Sequence, residues 1–241
     1  LNQVLDAAAR AGVRRLVFVS STATIAPRAD GQRSTEAQAF SEAPAHGTYH
    51  QLKWALEQRA VAEDRLQVTI ANPSACLGPH DWKVGTSSLL LATARGLRPA
   101  YPGGLISTVD ARDVALGVRA LATTDSPPQR MILSGGEFDA HALMTQLAQR
   151  YQAAAPQPAL NADEARALAD AQERHAQEHG GRAMLSRELV DLIVHSPPLD
   201  AALSRALGVR YRPLSETLDA WDAWAQRMGL LSPRASGEAH G

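Results

Sequence analysis

Apolar residues recur at helical spacing from the first positions of the chain. Leu1, Val4, Leu5 and Ala8 share one helical face, and Gly12 stops the run. Leu16-Val17-Phe18-Val19 follows, a short unbroken apolar stretch of strand formers that ends in Ser20-Ser21-Thr22. A helix, a glycine stop and a buried strand make half of an α/β unit, and such a strand needs parallel neighbours. A polar loop runs from about Ala26 to Gly47, punctuated by Pro27, Gly31 and Pro44. Helix is expected over Thr48 to Ala62, and strand over Gln67 to Ala71, broken at Asn72-Pro73.

The pattern then shifts toward helix. Gly85 to Arg95 reads as a helix stopped by Gly96, and Leu105 to Val109 as a short strand. Asp110 is placed to cap a helix running to about Ala122. Arg130 to Leu133 is a third sheet strand, ended by Ser134-Gly135-Gly136. Helices are expected over Phe138–Tyr151, Asp163–Glu178, Ser186–Val194, Leu199–Leu207 and Leu214–Met228, with a disordered polar tail from Ser232. Strands alternating with helices early and helices alone late suit an α/β fold. The expectation is an incomplete doubly wound, Rossmann-like parallel sheet with a mostly helical C-terminal substrate lobe. Residues 1–76 and 105–150 are assigned to the sheet domain, and 77–104 with 151–231 to the lobe.

Composition narrows the function classes. The 241 residues carry a net charge of -1, so no basic field for nucleic acid or an anionic membrane is expected. The single cysteine, Cys76, allows no intrachain disulfide, and no long uncharged apolar run occurs. A cytoplasmic location is the expectation, with a small-molecule substrate as the partner. A homodimer through sheet-flanking helices is compatible with the pattern.

Ser21, Tyr49 and Lys53 carry the most chemical information. Tyr49 and Lys53 are four residues apart and share a helix face. A phenol normally titrates near 10, and a cation one turn away favours phenolate, bringing it within range of acid/base work. A serine hydroxyl at the end of the neighbouring strand can hold a carbonyl oxygen. By itself the Tyr/Lys pair is commonplace in helices.

Its surroundings are not. The segment Gly12-Val13-Arg14-Arg15-Leu16-Val17-Phe18-Val19-Ser20-Ser21 resembles the strand and serine segment of extended short-chain dehydrogenases/reductases. Thr48-Tyr49-His50-Gln51-Leu52-Lys53 follows at the family's spacing, with Tyr49 28 residues after Ser21. Asn72-Pro73-Ser74-Ala75-Cys76-Leu77-Gly78-Pro79, Val109 to Ala115, Arg130 to Glu137 and Ala206 to Leu214 resemble four further blocks in the same order. Gly78 to Lys83 and Pro102-Gly103-Gly104 resemble the branch of NAD-dependent epimerase/dehydratases that holds the dihydroflavonol 4-reductases.

The resemblance implies an NAD(P)-dependent oxidoreductase acting on a carbonyl or alcohol. Tyr49 would be the acid/base and a cofactor contact, and Lys53 would lower its pKa and touch the nicotinamide ribose. Ser21, or Thr22 if the register slips by one, would orient the substrate oxygen. Pro73, Ser74 and Ala75 would line the nicotinamide, although Pro73 also reads as a plain strand terminator. The cofactor is NADP or NAD, with NADP slightly favoured. Thr22, Trp82 and Tyr101 are candidates for substrate contact, and Trp82 and Tyr101 equally for packing the lobe. The stretch 77–104 has few charges, so the expected substrate is a neutral ketone, sugar-like or flavonoid-like ring.

The family's Gly-x-x-Gly-x-x-Gly phosphate turn has no counterpart among the glycines of this chain. The chain therefore reads as the catalytic C-terminal part of that fold, with little dinucleotide affinity of its own. A non-catalytic nucleotide- or partner-binding member of the same fold is the alternative. His50 and His80 could meet substrate or lie on the surface. His175 and His179, four apart on a polar helix, read as a solvated face and not a metal site. Cys76 reads as a small buried hydrophobe.

Overall fold

The computed structural model describes residues 1–232, so most of the tail expected from Ser232 lies outside the described residues. Three strands form a parallel sheet in the order β1 (Arg15–Val19), β2 (Gln67–Pro73), β5 (Arg130–Leu133). Helices α1 (Asn2–Arg10) and α2 (Thr48–Val61) pack on one face of it, and α4 (Ala111–Thr123) on the other. The alternation of side chains along a strand decides which face each residue joins. Val68 and Ile70 join Leu5, Ala60 and Leu66 on the first face. Ala71 joins Leu121, Met131, Leu133 and Val209 on the second. In β2 every residue from Val68 to Pro73 is buried, as a central parallel strand requires.

A second small sheet lies beyond the first. In it β3 (Ala75–Leu77) runs parallel to β4 (Leu105–Asp110), which pairs antiparallel with β6 (Gly136–Asp139). Helices α3 (Ser88–Ala94), α5 (Ala140–Tyr151) and α9 (Leu214–Arg227) enclose a core around Leu77, Leu90, Leu147, Trp221 and Trp224. Helix α6 (Ala162–His179) and helix α7 (Arg187–Val194) form a hairpin zipped by Ala165, Ala169, Leu185 and Val190. The short α8 (Ala202–Ala206) packs near β5.

Four helix starts are fixed by side-chain caps that the sequence carries: Asp110 on Arg112 N, Asp139 on Ala142 N, Asn161 on Asp163 and Glu164 N, and Ser186 on Leu189 N. Helix α4 can approach β5 because position 117 is glycine. A Cβ there would stand 2.5 Å from Leu133 Cδ2.

Several elements differ from the sequence reading. Strand β2 continues through Asn72 and Pro73. Proline is tolerated there because β1 has already ended at Val19, opposite Ala71, while the next amide, Ser74 N, bonds to Leu133 O on the other side. The strand over 105–110 builds the second sheet and does not extend the first. Residues 136–139 form β6 ahead of α5, where helix was expected from Phe138. Helices α3 and α8 are shorter than expected, since residues 85–87 turn before α3 and Leu199 is drawn into a bridge with Ser34, so that α8 begins only at Ala202.

Candidate active site

The three parallel strands end at one edge, where Ser20 and Ser21 follow β1, Ser74 and Ala75 follow Pro73, and Ser134 follows Leu133. In open α/β sheets this edge is where ligands bind. Ser21 caps a short 3₁₀ turn over Thr22–Thr24, its Oγ accepting from Ala23 N at 3.1 Å. Helix α2 begins at Thr48 behind Gly47, whose φ of 66° turns the chain into it. That places Tyr49 and Lys53 on consecutive turns facing the serine segment.

The structure brings the three expected residues together. The Tyr49 phenol and the Ser21 side chain are neighbours, close enough for Ser21 to act on the Tyr49 pKa. Lys53 Nζ lies 5.7 Å from the Tyr49 ring centroid and donates to Ser20 O at 3.5 Å. Thr22 begins the 3₁₀ turn, and its carbonyl accepts from Ile25 N. Of the two, Ser21 is the one whose side chain acts on the Tyr49 phenol.

The electrostatics differ from the expectation. Burial is the largest influence on Tyr49 and pushes its pKa up, the Ser21 side chain opposes it, and Lys53 is not among the causes. Nζ stands over the ring and is drawn to the Ser20 carbonyl, away from a direct contact with the hydroxyl. Burial in turn pushes the Lys53 ammonium down, with Cys76 and Glu57 acting against that. Cys76 has its thiol pushed up to about 11, mainly by burial, so it is a poor nucleophile at neutral pH.

Two buried hydroxyls at this edge, Ser20 Oγ and Ser74 Oγ, have no protein partner. Buried hydroxyls are rarely left unpaired in a finished site. With Tyr49, Lys53 and the Pro73–Ala75 segment they gather polar groups at the carboxyl edge of the sheet, a chemistry that fits the ribose and carboxamide end of a nicotinamide cofactor.

The remaining candidates fall elsewhere. Tyr101 is 2% exposed, and its hydroxyl is engaged by His141 Nδ1 and by Gln157 O, both at 2.5 Å. It packs the second core, the alternative the sequence left open. Trp82 is 64% exposed and meets Trp224 edge to face at 5.6 Å. His80 is exposed beside it. His175 and His179 stack on one another on an exposed face, and among the described residues no group of three metal-ligating side chains forms. Asp113 is buried and accepts from Arg212 N at 2.8 Å and from the Arg212 guanidinium, a structural clamp.

Sequence reasoning missed two groups. His50 is neither on the surface nor free: it is 4% exposed, with the His46 ring 4.8 Å and the His195 ring 6.5 Å away. His46 and His195 stack at 3.8 Å, joining the start of α2 to the end of α7. The second group is Glu57, Asn72 and Thr24, buried beneath Ser21. Glu57 extends the spacing Tyr49, Lys53, Glu57 by one more turn, a signal visible in the sequence.

The profile of the NAD dependent epimerase/dehydratase family matches residues 2–128. A dihydroflavonol 4-reductase-like protein of Synechocystis sp. is 37% identical over 117 residues, which are 47% of this chain and 34% of the relative. The match thus spans about a third of that relative's length. The crystal structure of gox2253 superposes with a TM-score of 0.77 at 26% identity, covering 95% of this chain and 71% of the other. That of PA4631, a nucleoside-diphosphate-sugar epimerase from Pseudomonas aeruginosa, gives 0.79 at 24% identity, covering 95% and 72%.

Proposed function

The chain belongs to the NAD dependent epimerase/dehydratase family, and from that premise we propose that it carries the proton-transfer centre of a nicotinamide-dependent oxidoreductase acting on a carbonyl or alcohol. The observation that carries this reading is the gathering of Ser21, Tyr49 and Lys53 at the carboxyl edge of the sheet, with Lys53 Nζ 5.7 Å from the Tyr49 ring centroid. The cofactor, when bound, supplies or accepts hydride. Tyr49 gives a proton to the substrate oxygen during reduction, or takes it during oxidation. Ser21 donates to the same oxygen and holds it against Tyr49. Lys53 offsets negative charge developing at the phenol and meets the nicotinamide ribose. Pro73, Ser74 and Ala75 line the nicotinamide ring. NADP is the slightly favoured cofactor, and residues 1–76 with 105–150 form the catalytic unit against a substrate lobe of 77–104 and 151–231.

The substrate is proposed to be neutral. Within 77–104 the cations are Lys83, Arg95 and Arg98. Arg95 is spent on Leu230 O and Arg98 on Ala155 O, which leaves few charges for a pyrophosphate. A deuteride assay tests the function. The full-length protein is given NADPH or NADH deuterated at C4, with a panel of neutral ketones and nucleotide-sugars. Label appearing in a neutral alcohol product supports the reading. Transfer confined to nucleotide-sugars removes the substrate assignment, and transfer to none favours a non-catalytic binding member of the fold.

A further inference from the structure

Beneath Ser21 lies a buried polar unit that the proton-transfer scheme does not use. The Glu57 carboxylate is 1% exposed, Asn72 is 0% and Thr24 is 1%. Glu57 Oε2 accepts from Thr24 Oγ1 at 2.8 Å and from Asn72 Nδ2 at 3.0 Å, while Oε1 accepts from Arg130 Nη2 at 3.0 Å. The Ser21 carbonyl lies within reach of the same groups, 2.9 Å from Thr24 Oγ1 and 3.1 Å from Asn72 Nδ2; the one Thr24 hydroxyl proton is shared between it and Glu57, while Thr24 Oγ1 accepts from Asn72 Nδ2 at 2.9 Å. Thr24 N adds a third donor at 3.2 Å.

The geometry ties three elements to one peptide. Tyr49, Lys53 and Glu57 recur every four residues, so all three face the serine segment from α2. Lys53 holds the Ser20 carbonyl, and Glu57 holds the Ser21 carbonyl through Thr24 and Asn72. Asn72 reaches in from the end of β2, next to the Pro73–Ala75 segment. A buried carboxylate is costly, and well-packed apolar residues often replace a buried ion pair without loss of stability. Glu57 and Arg130 are thus poorly explained as a stability device alone. What the unit does hold is the Ser21 carbonyl, and with it the peptide that carries the Ser21 hydroxyl.

We propose that Glu57, Asn72 and Thr24 form a positioning unit that sets the Ser21 hydroxyl against Tyr49, with Arg130 neutralising the carboxylate. The proposal rests on the proton-transfer reading of Tyr49 given above. Since small misplacements of reacting groups cost up to about 100-fold in rate, loosening this unit should act on kcat.

The test compares Thr24→Val, which keeps the shape and loses the hydroxyl, with Thr24→Ser, which keeps it. Asn72→Ala is a second disruption, and Tyr49→Phe is the reference for the reading itself. All are made in the full-length protein and assayed with the nicotinamide cofactor and a turned-over ketone. Thr24→Val and Asn72→Ala should lower kcat by about 10–100-fold with KM within about twofold, and Thr24→Ser should restore most of it. A second readout needs no turnover. In protein labelled with ζ-¹³C tyrosine, the Tyr49 phenol should titrate at higher pH in Thr24→Val than in the parent, because the influence of Ser21 that opposes burial is weakened when Ser21 is displaced. If Tyr49→Phe is slow while Thr24→Val and Asn72→Ala keep the parental kcat and Tyr49 titration, the positioning unit is refuted and the proton-transfer reading stands. If Tyr49→Phe runs at the parental rate, both fall. Should Asn72→Ala fail to fold, the Thr24 pair decides alone.

Discussion

Acid should loosen this protein through His50. Its ring is 4% exposed, its Nδ1 has no partner, and the His46 and His195 rings stand 4.8 and 6.5 Å away. Gly47 leaves it the room, since a Cβ there would lie 2.5 Å from His50 Nδ1. Burial, followed by the neighbouring imidazoles, lowers its pKa from 6.5 to about 4, with Asp191 acting weakly the other way. His195 is lowered too, by burial first and then by His46, with Arg166 in the same direction and Asp191 against. The sign follows directly. Below pH 6.5 the unfolded chain takes up a proton that folded His50 refuses until about pH 4, so stability falls with pH across that window. His50 alone accounts for about 2 kcal/mol lost by pH 5 and about 3 kcal/mol below pH 4. Glu63, held near 2 by Arg65 hydrogen bonds, stays ionised throughout and does not blur the comparison. Urea unfolding of the parent and of His50→Phe, followed by tryptophan fluorescence at pH 7.5 and pH 5, measures the effect. The parent should lose about 2 kcal/mol more than the variant between the two pH values. Equal losses would refute the reasoning.

Two further outcomes are expected. Gly117→Ala should lower the melting temperature by several degrees: the added methyl meets fully buried Leu133 at 2.5 Å, and overpacking at about 1–3 kcal/mol exceeds the helix-propensity gain of about 1. An unchanged melting temperature in a calorimetric scan would count against that contact. The 241-residue chain alone should show no micromolar binding of NADH or NADPH by titration calorimetry, since none of its glycines forms the phosphate turn. Micromolar affinity would mean that another surface holds the dinucleotide.

The periodicity of the chain made α1, α6, α7 and α9 legible, because each carries an apolar face, while α2 was legible from helix propensity alone, its buried face mixing His50 and Glu57 with Ala60. The three parallel strands were legible as short apolar runs. Strand β6 was not. Gly136-Glu137-Phe138-Asp139 has one large apolar residue, and its strand state comes from pairing with β4, far away in sequence. The site was legible where local spacing carries the chemistry, at Ser21, Tyr49 and Lys53. The histidine cluster and the Glu57 unit were not, since each gathers residues from separate elements that only the fold brings together. The assignment of Tyr101 to substrate gave way to packing because its phenol found partners in His141 and Gln157 inside the second core.

The proton-transfer role of Tyr49 is tested most directly by single-residue kinetics in the full-length protein. With a nicotinamide cofactor and a reducible ketone, Tyr49→Phe should lower kcat/KM by about 10²–10⁴-fold while leaving the fold intact. A Tyr49→Phe enzyme that reduces the ketone at the parental rate would contradict the central reading of this site.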